Sequence, residues 1–173
     1  MSDYRRIFIP GGVYFFTVVT FRRRPIFADK ENVELLRAAF KHIMTPRPFT
    51  IDAIVVLPDH LHCLWRLPEH DDDFSGRWRE IKKYVSKRIG GDGIRPKEKD
   101  VWQRRFWEHA IRNEGDWQRH MDYIHYNPVR HGLALSPEQW PYSSFRRAVA
   151  AGWYDGNWGN NGQPDTIRDM DME

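Results

Sequence analysis

The sequence predicts an α+β domain of the ferredoxin-like, split βαβ kind, with one further helix appended after the last strand. Three observations predict it. Apolar runs rich in β-branched and aromatic residues alternate with stretches whose apolar residues recur at steps of three and four. They follow the order strand, helix, strand, strand, helix, strand, helix. The 173 residues are enough for one core of ordinary size and leave little for a second.

The elements follow in chain order. Val13 to Phe21 (VYFFTVVTF) lies between Gly11-Gly12 and Arg22-Arg23-Arg24 and reads as a buried strand. Asp29 is placed to cap a helix whose apolar face is Val33, Leu36, Phe40 and Ile43, and Pro46 and Pro48 end it. Thr50 to Val56 is a second strand, Leu57-Pro58-Asp59 a turn, and His60 to Leu67 (HLHCLWRL) a third strand that pairs with the second. A second helix runs from about Ser75 to Ile89, with Trp78, Ile81, Val85 and Ile89 on one side and Arg79, Lys83 and Lys87 in an i, i+4 row elsewhere. Gly90, Gly91, Gly93 and Pro96 mark a loop, and Phe106 to Asn113 a fourth strand. Asp116 is the expected cap of the last helix, which should stop near Asn127 because proline disfavours helical geometry in the residue before it. Turns and one short helix follow up to Gly152. The chain divides into a domain, residues 1–154, and an acidic tail, residues 155–173, that is irregular or mobile.

Composition narrows the function classes. With 40% hydrophobic and 29% charged residues, the chain is too apolar for a disordered polypeptide and too polar for a membrane-embedded one. Its longest apolar run is far short of the roughly 20 residues that span a bilayer, and its start lacks the pattern of a secretory signal. The single cysteine, Cys63, excludes a disulfide framework and a cysteine-based zinc cluster, so a reducing, cytoplasmic home is expected. The formal net charge is +3, yet the last nineteen residues hold five acids and one arginine, so the preceding body carries +7. Between Arg77 and Arg112 twelve Lys or Arg face five acids, which accounts for that whole excess. A basic stretch interleaved with aromatics is the electrostatic footprint of a polyanion such as nucleic acid; the plain alternative is a solvated face. Arg79, Lys82, Lys83 and Lys87, with Arg22, Arg23 and Arg24, are the candidate phosphate contacts. Trp78, Trp102, Trp107 and Trp153 are either base-stacking residues or core, and core is the commoner role.

The chemistry concentrates on two segments. Alternation along the third strand puts His60 and His62 on one face, roughly 6 to 7 Å apart at their origins, with apolar Leu61, Cys63, Trp65 and Leu67 on the other. Two imidazoles at that spacing reach one cation, although two partly exposed strand histidines would look the same. On the last helix Tyr123 and Asn127 share a face beside the apolar stripe Trp117, Met121 and Ile124. A phenol that attacks and an amide oxygen that ligates, next to paired imidazoles, make a metal-assisted nucleophilic site. Taken singly, Tyr123 is as easily a boundary tyrosine and Asn127 a helix terminator. His120 reads as a solvated helix histidine, Glu108 has no assigned role, and the other histidines form no second metal site.

The string His60-Leu61-His62 resembles the HUH motif, and YIHYNPVRHGL from Tyr123 to Leu133 resembles the tyrosine motif of single-tyrosine HUH transposases. RFWEHAIRNEGDW and WPYSSF, from Arg105 to Trp117 and from Trp140 to Phe145, are similar to REP-associated tyrosine transposases within the IS200-like superfamily. The resemblance implies the HUH endonuclease version of the fold and cleavage and rejoining of single-stranded DNA at REP-like hairpins. It implies Tyr123 as nucleophile, forming a 5′-phosphotyrosine link and freeing a 3′-hydroxyl. It also implies His60, His62 and Asn127 as ligands of a divalent ion, which two imidazoles and an amide oxygen suit best as Mg²⁺ or Mn²⁺. Many relatives outside the REP-associated group carry Gln at the position of Asn127, and the shorter Asn reaches less far. The implied partners are single-stranded or hairpin DNA in a bacterial nucleoid, and the implied assembly is a monomer or a homodimer in which Tyr123 serves a partner's histidines. Because the imidazoles ligate only when neutral, activity is expected to fall as pH drops through about 6.5. The alternative is a host-adapted, non-catalytic protein that binds DNA hairpins or regulates.

Overall fold

The computed structural model describes residues 5–89 and 98–173. The expected loop around Gly90, Gly91, Gly93 and Pro96 lies outside them. Strand β1 (Val13–Val19) sits between β3 (His60–Arg66) and β4 (Trp107–Ala110), and β2 (Thr50–Val56) pairs with the outer side of β3. The sheet order is β2-β3-β1-β4 and all three pairings are antiparallel. This is the predicted split βαβ order.

The two faces of the sheet are covered by different layers. Helices α1 (Lys30–Met44) and α2 (Phe74–Ser86) pack on one face, where Phe40, Trp65, Trp78, Phe16 and Phe74 form an aromatic core. After the four-residue α3 (Glu98–Val101) and β4, the long α4 (Glu114–Arg130) covers the other face. It is held there by Phe15, Leu64, Met121, Tyr123 and Ile124, with α5 (Phe145–Ala150) beside it. The period-two pattern of β3 therefore serves both layers: Leu61, Cys63 and Trp65 face α1 and α2, while His60, His62 and Leu64 face α4. The face that carries both imidazoles is covered, and the histidines are buried rather than partly exposed.

Asp29 caps α1 as expected, its carboxylate accepting from the Glu31 N–H. Several boundaries differ, each for a local reason. β1 stops at Val19 because the Thr20 hydroxyl bonds to the carbonyls of Arg24 and Asp59 while Arg22 and Arg23 turn the chain with left-handed φ of 53° and 51°. β4 stops at Ala110 because Asn113, not Asp116, caps α4: Asn113 Oδ1 accepts from Asp116 N–H, and the Asp116 carboxylate reaches back to Arg112 N–H. α4 runs through Pro128 to Arg130. It ends instead in a Schellman arrangement, with Gly132 at φ +68° and bonds from Gly132 N–H to Val129 O and from Leu133 N–H to Pro128 O.

The acidic tail is irregular apart from one 3-10 turn (Asp165–Ile167), and it is packed rather than free. Ile167 and Met170 are buried against α4 with Tyr126, Tyr154 and Phe145. Arg119 and Arg130 bond to the tail carbonyls of Thr166 and Met170. No described helix is long and apolar enough to cross a membrane.

Candidate active site

The last residue of the given sequence, Glu173, returns to the covered face of the sheet. Its Oε2 lies 2.9 Å from His60 Nε2 and its Oε1 lies 3.3 Å from His62 Nε2. The same Oε1 accepts from the Tyr123 hydroxyl at 2.8 Å and from Asn127 Nδ2 at 3.4 Å, and lies 3.1 Å from His131 Nε2. The four side chains named from the sequence thus surround one carboxylate, within a single chain.

Each is placed by its element. His60 and His62 stand on a strand paired on both sides, with ring centroids 4.9 Å apart and nearly perpendicular planes. Tyr123 and Asn127 project from α4 one turn apart. Phe15 wedges between the layers, stacked on His62 at 5.5 Å and edge-on to Tyr123 at 6.0 Å, and the His62 and Tyr123 rings are 5.3 Å apart. Neither the solvent-facing tyrosine nor the plain helix terminator is observed: Tyr123 and Asn127 are fully buried.

Burial dominates the electrostatics. It holds the His62 imidazolium down at about 4, so the ring is neutral well below the 6.5 expected from the sequence. The Tyr123 phenol is raised above its ordinary value by burial and by the charge of Glu173, although Met172 N–H donates to its oxygen. Asp59 Oδ1 is 2.6 Å from His60 Nδ1, and Arg23 reaches Asp59 Oδ2 at 3.2 Å. Burial disfavours the Asp59 anion, but His60 and Arg23 outweigh it and its carboxyl lies below the usual value. Among the buried polar atoms, His60 Nε2 and Asn127 Oδ1 have no hydrogen-bond partner. Two imidazole nitrogens and a carboxylate converge in this way, with the Asn127 amide nitrogen facing them, and the group could hold a metal ion.

The basic candidates divide. Arg22, Arg23 and Arg24 are exposed on the turn that carries Arg23 to Asp59, beside His60. Arg79, Lys83 and Lys87 are exposed on α2, which lies on the opposite face of the sheet from Tyr123. Lys82 is turned inward, its ammonium on the Gln103 carbonyl at 3.0 Å beside the Trp102 and Phe106 rings, so it is not part of that exposed row. Trp78 and Trp102 are core, whereas Trp107 and Trp153 are 39% and 52% exposed.

One expectation about a side chain is corrected. His120 is buried rather than solvated, stacked on His109 at 4.7 Å and 13°, with its Nδ1 on the Asp116 carbonyl. His109 Nε2 bonds to the Asp116 carboxylate, so these three residues do converge. Near-parallel stacked rings cannot both aim an in-plane lone pair at one ion, which makes the group a hydrogen-bonded support for β4 and α4. Glu108 is buried in an ion pair with Arg6 at 2.7 Å. Sequence reasoning missed Glu173, His131 and Asp59, and also Thr17, whose Oγ1 lies 2.9 Å from His62 Nδ1. His131 stood in the quoted tyrosine string and Asp59 in the quoted turn, while no local pattern pointed to Glu173 or Thr17.

Comparison with known proteins adds independent findings. The family model described as "Transposase IS200 like" matches residues 11–127. The REP-associated tyrosine transposase of Escherichia coli (strain K12) is 49% identical over 158 residues, 91% of each chain. A relative from Haemophilus influenzae is 41% identical over 168 residues, 93% of this chain and 95% of that one. A solved structure described as a REP-associated tyrosine transposase bound to a REP hairpin superposes with a TM-score of 0.85 at 45% identity, covering 99% of this chain and 96% of the other.

Proposed function

The chain belongs to the REP-associated tyrosine transposases of the IS200-like family, and from that premise we propose that it cleaves and rejoins single-stranded DNA beside REP-like hairpins, with Tyr123 as nucleophile and a divalent metal held by His60 and His62. The observation that carries the reading is the meeting of the Tyr123 hydroxyl with both imidazole Nε2 atoms around one point, reached from two separate layers. The relative solved with a REP hairpin supports the substrate class.

His60 and His62 would hold the ion through Nε2, and the buried Asn127 amide, turned by half a rotation, would present Oδ1 as a third donor. When bound, Mg²⁺ or Mn²⁺ supplies Lewis-acid withdrawal of charge from the nonbridging phosphate oxygens. Tyr123 would lose its phenol proton and attack phosphorus in line; the P–O3′ bond would break and the leaving 3′-oxygen take up a proton, giving a 5′-phosphotyrosine link and a free 3′-hydroxyl. A later 3′-hydroxyl reverses the step and rejoins the strand. Phe15 and the sheet fix the distance between phenol and imidazoles, so most of the barrier reduction comes from positioning and electrostatics. Arg22, Arg23 and Arg24, exposed on the turn beside His60, would contact phosphates near the break, and Arg79, Lys83 and Lys87 would contact only DNA that wraps to the far layer.

Incubation with Mn²⁺ and single-stranded oligonucleotides bearing a hairpin should give a covalent protein–DNA adduct that Tyr123→Phe abolishes. The placement of Glu173 against Tyr123 favours a second reading, a hairpin-binding regulator. Hairpin binding with no adduct, even after Glu173 is replaced by alanine, would select it.

A further inference from the structure

Resting on the metal reading above, we infer that Asp59 and Thr17 are positioning residues that lock His60 and His62 in their Nδ1–H tautomers, which leaves both Nε2 lone pairs free to ligate. Each half of the assignment follows from counting hydrogens.

Asp59 Oδ1 stands 2.6 Å from His60 Nδ1. An ionised carboxylate only accepts, so the proton belongs to the ring nitrogen. Asp59 is fixed in that role from two sides: Arg23 holds its other carboxylate oxygen, and its carbonyl receives the Thr20 N–H at the end of β1. On the neighbouring ring, His62 Nδ1 is 2.9 Å from Thr17 Oγ1. That hydroxyl has one hydrogen, and it points to the Met172 carbonyl at 2.7 Å. Two oxygens that close with no hydrogen between them would repel, so the threonine donates there and accepts from His62 Nδ1–H. Thr17 is the direct cross-strand partner of His62 in the β1–β3 register, and it is buried, so no water competes for the bond.

With both protons on Nδ1, each Nε2 faces the Glu173 carboxylate without a hydrogen of its own, His62 Nε2 lying 3.3 Å from Oε1. His60 Nε2 lies 2.9 Å from a carboxylate oxygen of Glu173 and yet has no hydrogen bond. With the proton on Nδ1, that nitrogen and the carboxylate oxygen are both acceptors. Facing acceptors repel unless a cation stands between them, so this arrangement is relieved when the two imidazoles and the carboxylate share an ion as ligands.

The assignment is tested on the full-length chain by ¹⁵N–¹H long-range NMR of the metal-free protein and by Mn²⁺ titration followed by electron paramagnetic resonance. The expected wild-type result is an Nδ1–H on both rings at neutral pH. Thr17→Val and Asp59→Ala should weaken Mn²⁺ binding by roughly 10- to 100-fold. Thr17→Ser, which keeps the hydroxyl, should retain wild-type affinity, and Thr17→Val should give His62 an Nε2–H signal. An Nε2–H on either ring of the wild type overturns the inference, and this readout needs no variant to fold. So does Mn²⁺ affinity that stays within about twofold in both truncated variants. A wild type that shows both Nδ1–H tautomers and binds no Mn²⁺ overturns the metal reading while supporting the tautomer lock.

Discussion

The Tyr123 hydroxyl donates to Glu173 Oε1 across 2.8 Å, tying the candidate nucleophile to a residue fifty positions further along the chain. The same carboxylate faces both imidazoles, so one side chain touches the attacking group and the ion-binding group together.

Glu173→Ala should therefore have two opposite effects. Mn²⁺ affinity should fall because a carboxylate near His60 and His62 is lost, while adduct formation at saturating Mn²⁺ should rise several-fold because Tyr123 is released. Titration and single-turnover adduct assays on one preparation separate the two. Unchanged adduct yield at saturating metal would mean that Glu173 does not compete with DNA.

Stability should decline as pH falls from about 6.5 towards 4. Burial depresses His62 to about 4 and His125, bonded to Ser144 in the second core, to about 3. The unfolded chain, with histidines near 6.5, binds these protons first, so stability is complete above about 6.5 and is lost as pH drops towards the folded-state values. His125 alone is worth on the order of a few kcal/mol across that range. Urea midpoints at pH 7, 5.5 and 4 measure it, and a flat series would contradict the burial of these rings.

DNA binding should weaken steeply with salt. Removing Arg22, Arg23 and Arg24 together should lower the slope of log K against log salt by up to roughly 2, at about 0.7 per single-strand phosphate, and should reduce adduct yield on short oligonucleotides. Removing Arg79, Lys83 and Lys87, on the far layer, should affect long hairpin substrates and leave short ones unaltered. Equal effects on both substrates would place the DNA path elsewhere.

Trp78→Ala should destabilise the fold by about 3 to 5 kcal/mol, because its ring is fully buried against Trp65 and Phe16. Trp107→Ala should leave thermal stability nearly intact and weaken single-stranded DNA binding by roughly 1 to 3 kcal/mol if a base stacks there. Differential scanning calorimetry and oligonucleotide titration distinguish them.

The order of strands and helices was legible because β1, α1, β2 and β3 carry their periodicity locally. The pairing of His60 with His62 follows from strand alternation, and the nearness of Tyr123 to Asn127 from helical pitch. The path of α4 through Pro128 was not legible: a proline disfavours helix only in its own neighbourhood, whereas the Gly132 turn and the burial of Asn127 decide the outcome. Glu173 was invisible for a stronger reason. Its role depends on tertiary packing of Ile167 and Met170, and the Asn, Gly and Asp residues around them read as a solvated tail.

The central position of β3 has a kinetic consequence. A strand paired on both sides and covered by helices on both faces opens only with the whole molecule, so amide exchange at His60 and His62 should be among the slowest in the chain. The irregular stretch that bears Glu173 has no ladder of its own and should exchange orders of magnitude faster. Access to the phenol is then governed by brief local detachment of that stretch, while the two ring nitrogens wait in a frame that does not relax.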